Sequence, residues 1–117
     1  MIVSQALNEA RLGAVVSFLG SAATMVIYDE ADAPLVTVPL PNPVGAVADN
    51  VLTLATSDES MISASGVAAK AALFNGANVM ALGDIAVTDM TGAGPLKLSS
   101  TTLFAGGYTR LVSGAIG

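Results

Sequence analysis

A mostly β chain with one N-terminal helix is what this sequence predicts, on three observations. Helical periodicity is confined to the first twenty residues. After it, short runs rich in β-branched and apolar side chains alternate with turn residues at spacings of roughly 8 to 12, the rhythm of a sandwich or barrel. Pro39, Pro41 and Pro43 occupy the place where the first crossover helix of a doubly wound sheet would belong. The expected architecture is an antiparallel β-sandwich or small barrel of about seven strands with one N-terminal α-helix. It forms one domain over residues 1 to 117, the helix at 4 to 19 and the sandwich at 24 to 117.

The helix begins at Ser4, whose hydroxyl can accept from a free backbone N–H of the first turn. Leu7, Ala10, Ala14 and Phe18 recur at helical spacing and make the expected docking stripe, with Gln5, Asn8, Glu9 and Arg11 facing outward. Gly20 ends it, because a left-handed residue closes a helix at least cost when it has no Cβ. Thr24 to Tyr28 reads as a strand, and Asp29-Glu30-Ala31-Asp32-Ala33-Pro34 as a turn in which short Asp side chains bond their own backbone. The uncharged run from Leu12 to Tyr28 reaches the lower limit of about 17 residues for a membrane span, but Gly13, Ser17, Gly20, Ser21 and Thr24 interrupt it. Helix, glycine break and strand is the expected reading.

Leu35 to Val38 is a second strand, and the prolines after it belong to a loop or a sheet edge, since they cannot donate to a ladder. Val51 to Leu54 is a short strand and Thr56 to Ser65 a loop. The clearest hairpin joins Gly66–Phe74 to Val79–Thr88 through Asn75-Gly76-Ala77-Asn78, with Gly76 expected at positive φ. Leu96 to Ser99 and Tyr108 to Ala115 complete the set, separated by a loop ending Ala105-Gly106-Gly107.

Composition removes much chemistry. The 117 residues contain no His and no Cys, so no imidazole base, thiol nucleophile or soft-metal site can be built, and no cofactor or metal is expected. Four Lys and Arg against nine Asp and Glu leave a net charge of -5, which repels phosphate backbones; nucleic acid is not an expected partner, and neither is a membrane. Side chains are 53% hydrophobic and only 11% charged, so a chain this short should place apolar surface against a neighbour.

Candidate reactive groups read as structure. Asp29, Glu30 and Asp32, and the pair Asp58-Glu59, could act as acid and base on a glycosidic bond, yet both sit in turn-like sequence. The first cluster lacks the ligand alternation of a calcium loop. Ser63, Ser65, Ser99, Ser100, Thr101 and Thr102 have no imidazole to activate them. Thr91-Gly92-Ala93-Gly94-Pro95 lacks the Lys of a phosphate loop and reads as a turn. Lys70 reads as a residue on the solvent side of a half-buried strand. No catalytic residue is expected.

In their order along the chain, the helix running into Val26-Ile27-Tyr28-Asp29, then Asn50 to Leu54, Ala64 to Asn75, Val79 to Val87, Leu96 to Thr102, Ala105-Gly106-Gly107 and Leu111 to Ile116 make up a pattern. With it, the chain resembles a family of small structural proteins of tailed bacteriophages and prophages. The chain departs from that family where an aromatic pair often stands, Ala71-Ala72 leaving only Phe74. The resemblance implies a non-enzymatic accessory component of a virion, on the capsid or at the neck, tail or baseplate, assembled in the cytoplasm of a bacterial host. Its implied partners are other virion proteins and copies of itself in a homo-oligomer. A carbohydrate-binding sandwich module for host-surface attachment and a carboxylate-based hydrolase are the alternatives from other classes.

Overall fold

The computed structural model describes residues 4–42, 44–57, 59–92 and 94–116. Helix α1 spans Gln5–Leu19; the Ser4 hydroxyl accepts from Leu7 N–H at 3.2 Å, and Gly20 closes the helix at φ 66° with its N–H on Val16 O. Strands follow as β1 (Thr24–Tyr28), β2 (Pro34–Pro39), β3 (Gly45–Ala48), β4 (Val51–Leu54), β5 (Ser60–Met61), β6 (Gly66–Val67) and β7 (Lys70–Phe74). The last five are β8 (Met80–Thr88), β9 (Leu96–Lys97), β10 (Thr102–Leu103), β11 (Tyr108–Thr109) and β12 (Ser113–Ile116).

Eight strands make one curled sheet, a half-barrel, in the order β2-β1-β7-β8-β9-β12-β4-β3; β10 with β6 and β11 with β5 are separate two-stranded ribbons. The mainly β character with one N-terminal helix agrees with the sequence reading. Two features differ. The sheet is mixed, because β8 and β9 run parallel (Val87 opposite Leu96), and the expected seven strands are twelve among the described residues. The extra ones are two-residue pieces and β3, a run of Gly, Ala and Val whose small side chains carry little strand signal.

β3 pairs with β4 through a two-residue turn, Asp49-Asn50, with φ of 52° and 66°. Both central residues of this turn need positive φ, which Asp and Asn tolerate best after glycine. The β7–β8 hairpin forms as expected, but its left-handed residue is Asn78 at φ 60°, and Gly76 is not among the positive-φ residues. Asn75 Oδ1 accepts from Ala77 N–H and Val79 N–H at 3.0 and 2.9 Å, so Asn75 shapes the turn from its first position. A Cβ on Gly76 would stand 3.0 Å from Ala22 Cβ, so the glycine serves close packing against the segment after α1.

The core is built by Met25, Ile27, Val36, Val38, Leu52, Leu73 and Leu96 from the strands and by Leu98 and Leu111 from loops. The helix enters it with a different stripe from the expected one. Leu12 and Leu19 are buried and Val15 and Val16 pack beside them, whereas Leu7 and Phe18 are 55% and 47% exposed. Asn8 and Glu9, expected outward, lie on the docked side: Asn8 Nδ2 donates to Asn50 O and Oδ1, both at 3.3 Å, and Glu9 Oε2 accepts from Asn50 N–H at 3.4 Å. These contacts seat the first half of α1 on the β3–β4 turn.

Candidate functional site

The acidic turn after β1 is a local hydrogen-bonding device. Asp29 Oδ1 accepts from Ala31 N–H at 2.8 Å and Ala33 N–H at 2.9 Å, leaving Glu30 outward and Asp32 at φ 65°. An open depression of about 780 Å³ adjoins the turn, bordered by Asp29, Glu30, Val67, Ala69, Val87 and Thr88. Its walls are mostly short apolar side chains, with Thr88 the one hydroxyl among the lining residues. Glu59 is separated in sequence from this turn, and Asp58 lies outside the described residues.

Lys70, at the start of β7, is half-buried and joined to that turn by an ion pair with Asp32; its Nζ lies 3.9 Å from Asp84 Oδ1. Asp84 reaches it from an irregularity in the β7–β8 pairing, where Asp84 takes φ 51°. The hydrogen bond that Lys70 donates to Asp32 holds the ammonium above the usual lysine range; partial burial opposes this, and the charges of Asp32, Asp84 and Asp29 add to it. An ammonium engaged by carboxylates in this way is the opposite of the desolvated setting that activates a lysine as a nucleophile. The cluster therefore fastens the β1–β2 turn and β8 onto β7. The sequence pointed to Lys70 and Asp32 separately, and nothing in it announced that a bulge would bring Asp84 to both.

Gly92 and Gly94 crowd a single side chain. A Cβ at Gly92 would come 2.5 Å from Thr88 Cβ, and one at Gly94 2.7 Å from Thr88 Cγ2, while Thr88 Oγ1 accepts from Gly94 N–H at 3.2 Å. Asp89 Oδ1 accepts from Thr91 Oγ1, Thr91 N–H and Gly92 N–H, and those bonds hold its carboxyl below the usual aspartate range. The N–H groups of Thr91, Gly92 and Gly94 are thus consumed within the loop, and Lys97 Nζ donates to Gly92 O. Ala93 lies outside the described residues. Among the hydroxyls, Ser63 Oγ donates to Leu35 O at 2.8 Å, and Ser65 Oγ accepts from Ala105 N–H at 2.9 Å; each ties a loop. Among the described residues no group of three or more acidic side chains converges to hold a metal ion.

Large apolar side chains also stand exposed. Phe18 and Met80 line a notch of about 290 Å³ with Ala14, Val15 and Ala81, beside exposed Val79. Met61, paired with Tyr108 across β5–β11, is exposed together with Tyr108 and Phe104, at 59%, 63% and 67%. Neither group was legible as a patch: the first joins residues more than sixty positions apart, and the second depends on a two-residue ribbon. Among the described residues no helix is long and apolar enough to cross a membrane, which says nothing about strands. Compared with known proteins, the chain matches no family model, no curated protein and no solved structure.

Proposed function

We propose that this protein is a non-enzymatic structural component that works in many copies, of the kind the phage resemblance implies: an accessory virion protein on the capsid, neck, tail or baseplate. The observation that carries the reading is the exposure of large apolar side chains on two separate groups of elements, Phe18 with Val79 and Met80, and Met61 with Phe104 and Tyr108. Contiguous exposed apolar surface marks contact sites on proteins otherwise able to hide it. Two of the four cations are engaged locally, Lys70 with Asp32 and Lys97 with Gly92 O, which favours apolar and backbone contacts over ion pairs.

Light scattering in about 0.1 to 1 M NaCl tests this, because screening at the upper end removes contacts between exposed charges. The expected result is a mass above the monomer that salt does not lower, with the protein recovered in purified particles. A monomer absent from particles overturns the reading, and dissociation by salt overturns its apolar basis.

Phe104 and Tyr108, on either side of the turn closed by Gly107 N–H on Phe104 O, favour a second reading as a carbohydrate-binding module, since sugars stack on exposed rings. Glycan-array binding abolished by Tyr108→Ala would support it over the first.

A further inference from the structure

The half-barrel has two edges, β2 and β3, and they are finished differently. In an antiparallel ladder the residues that bond the neighbouring strand alternate with residues whose N–H and C=O point away from it. On β2, Leu40 N–H donates to Ala23 O at 2.9 Å, which in the observed register makes Val38 and Val36 the residues bonded to β1 and turns Thr37 and Pro39 outward. Pro39 has no N–H, and Leu35 O already accepts from Ser63 N–H, Ala64 N–H and Ser63 Oγ. Thr37 keeps an outward N–H between the prolines at the two ends of β2. Such an edge offers an added strand an interrupted ladder.

On β3, Ala55 N–H donates to Val44 O at 2.9 Å, so the register Ala46↔Thr53 and Ala48↔Val51 marks the pairs bonded to β4, and Gly45 and Val47 face outward. Among the described residues no group bonds their outward N–H and C=O. The strand carries no charge, proline or long side chain, and Ala46 and Ala48 are exposed.

We infer that β3 pairs with β3 of a second copy about a two-fold axis, giving one continuous sheet through both protomers. The strand supplies its own complement. With Ala46 opposite Ala46 of the second copy, Gly45 and Val47 of each chain exchange both N–H···O=C bonds with Val47 and Gly45 of the other, four bonds in all by the alternation rule. A second copy fits better than an unlike partner of either charge, because an uncharged strand offers ionic groups nothing to read. Two chains of net charge -5 also bring no like-charged side chains face to face along it. Pairing stops at two, since a head-to-tail contact onto β2 would meet Pro39 and the bonds on Leu35 O. The inference rests on the multi-copy reading above and names its first contact, leaving the apolar patches for others.

The chain has no cysteine, so one introduced residue can report on the axis. Opposed residues in a non-hydrogen-bonded antiparallel pair have Cα atoms about 4.5 Å apart, within the roughly 4.4 to 6.8 Å that a disulfide spans. Two copies of residue 48 would lie four positions out of register, about 14 Å apart. Under mild oxidation Ala46→Cys is expected to cross-link into dimers at least about tenfold faster than Ala48→Cys. Ala46→Lys and Ala46→Asp place like charges face to face. Each alone should at least halve the scattering mass with an unchanged circular dichroism spectrum, and mixing the two should restore it. If the unmodified protein is monomeric, both this inference and the multi-copy reading fall. If it is oligomeric but Ala46→Lys keeps the full mass, or the two cysteine variants cross-link equally fast, the β3 edge alone is refuted.

Discussion

The two long stripes of α1 carry similar apolar side chains and meet opposite fates. Leu12, Val15, Val16 and Leu19 settle into the core, with Asn8 and Glu9 anchoring the same side to Asn50; Leu7, Ala10, Ala14 and Phe18 stay outside, beside Arg11. Hydrophobicity does not separate the stripes, since the outer one holds the only aromatic residue of the helix. What separates them is shape and anchoring. Aliphatic side chains interdigitate with Leu- and Val-rich strands at crystal-like density, and two polar residues at one end satisfy the backbone of a tight turn. A helix with two apolar stripes on a small domain thus commits one to folding and leaves the other at the surface.

The largest effect that would sharpen this contrast is at Leu19, 1% exposed. Leu19→Ala should cost about 2 to 5 kcal/mol, read as a lower denaturant midpoint at unchanged slope, because the cavity sits between helix and sheet. Ser4→Ala comes next, at about 1 kcal/mol, since the Leu7 N–H loses its acceptor and the helix as a whole is weakened regardless of stripe. Phe18→Ser should change stability by less than about 1 kcal/mol and act on assembly instead, lowering the mass seen by light scattering. A loss at Phe18 as large as that at Leu19 would break the comparison and return the helix to the docking stripe that its periodicity suggests.

Much of the fold was legible because its signals are local. The cap at Ser4, the stop at Gly20, the strand Thr24–Tyr28 and the β7–β8 hairpin rest on side chains that bond or restrict their own neighbourhood. β3 was missed because Gly-Ala-Val-Ala has almost no intrinsic strand preference, and only the Asp49-Asn50 turn, readable in retrospect as two residues tolerant of positive φ, commits it to β4. Gly76 was misassigned because glycine is the default left-handed residue, whereas here the Asn75 side chain organises the turn and moves that conformation to Asn78.

By itself the sequence determined the class of the fold, the helix limits and the exclusion of imidazole and thiol chemistry, each a matter of residue type or of neighbours within a few positions. The tertiary structure decided which helix stripe is buried, that β8 and β9 run parallel, that Asp32 and Asp84 converge on Lys70, and which sheet edge remains open. Each of these depends on pairings between segments far apart in the chain, where local preferences are nearly degenerate and the register and curl of the sheet select one arrangement for all of them at once.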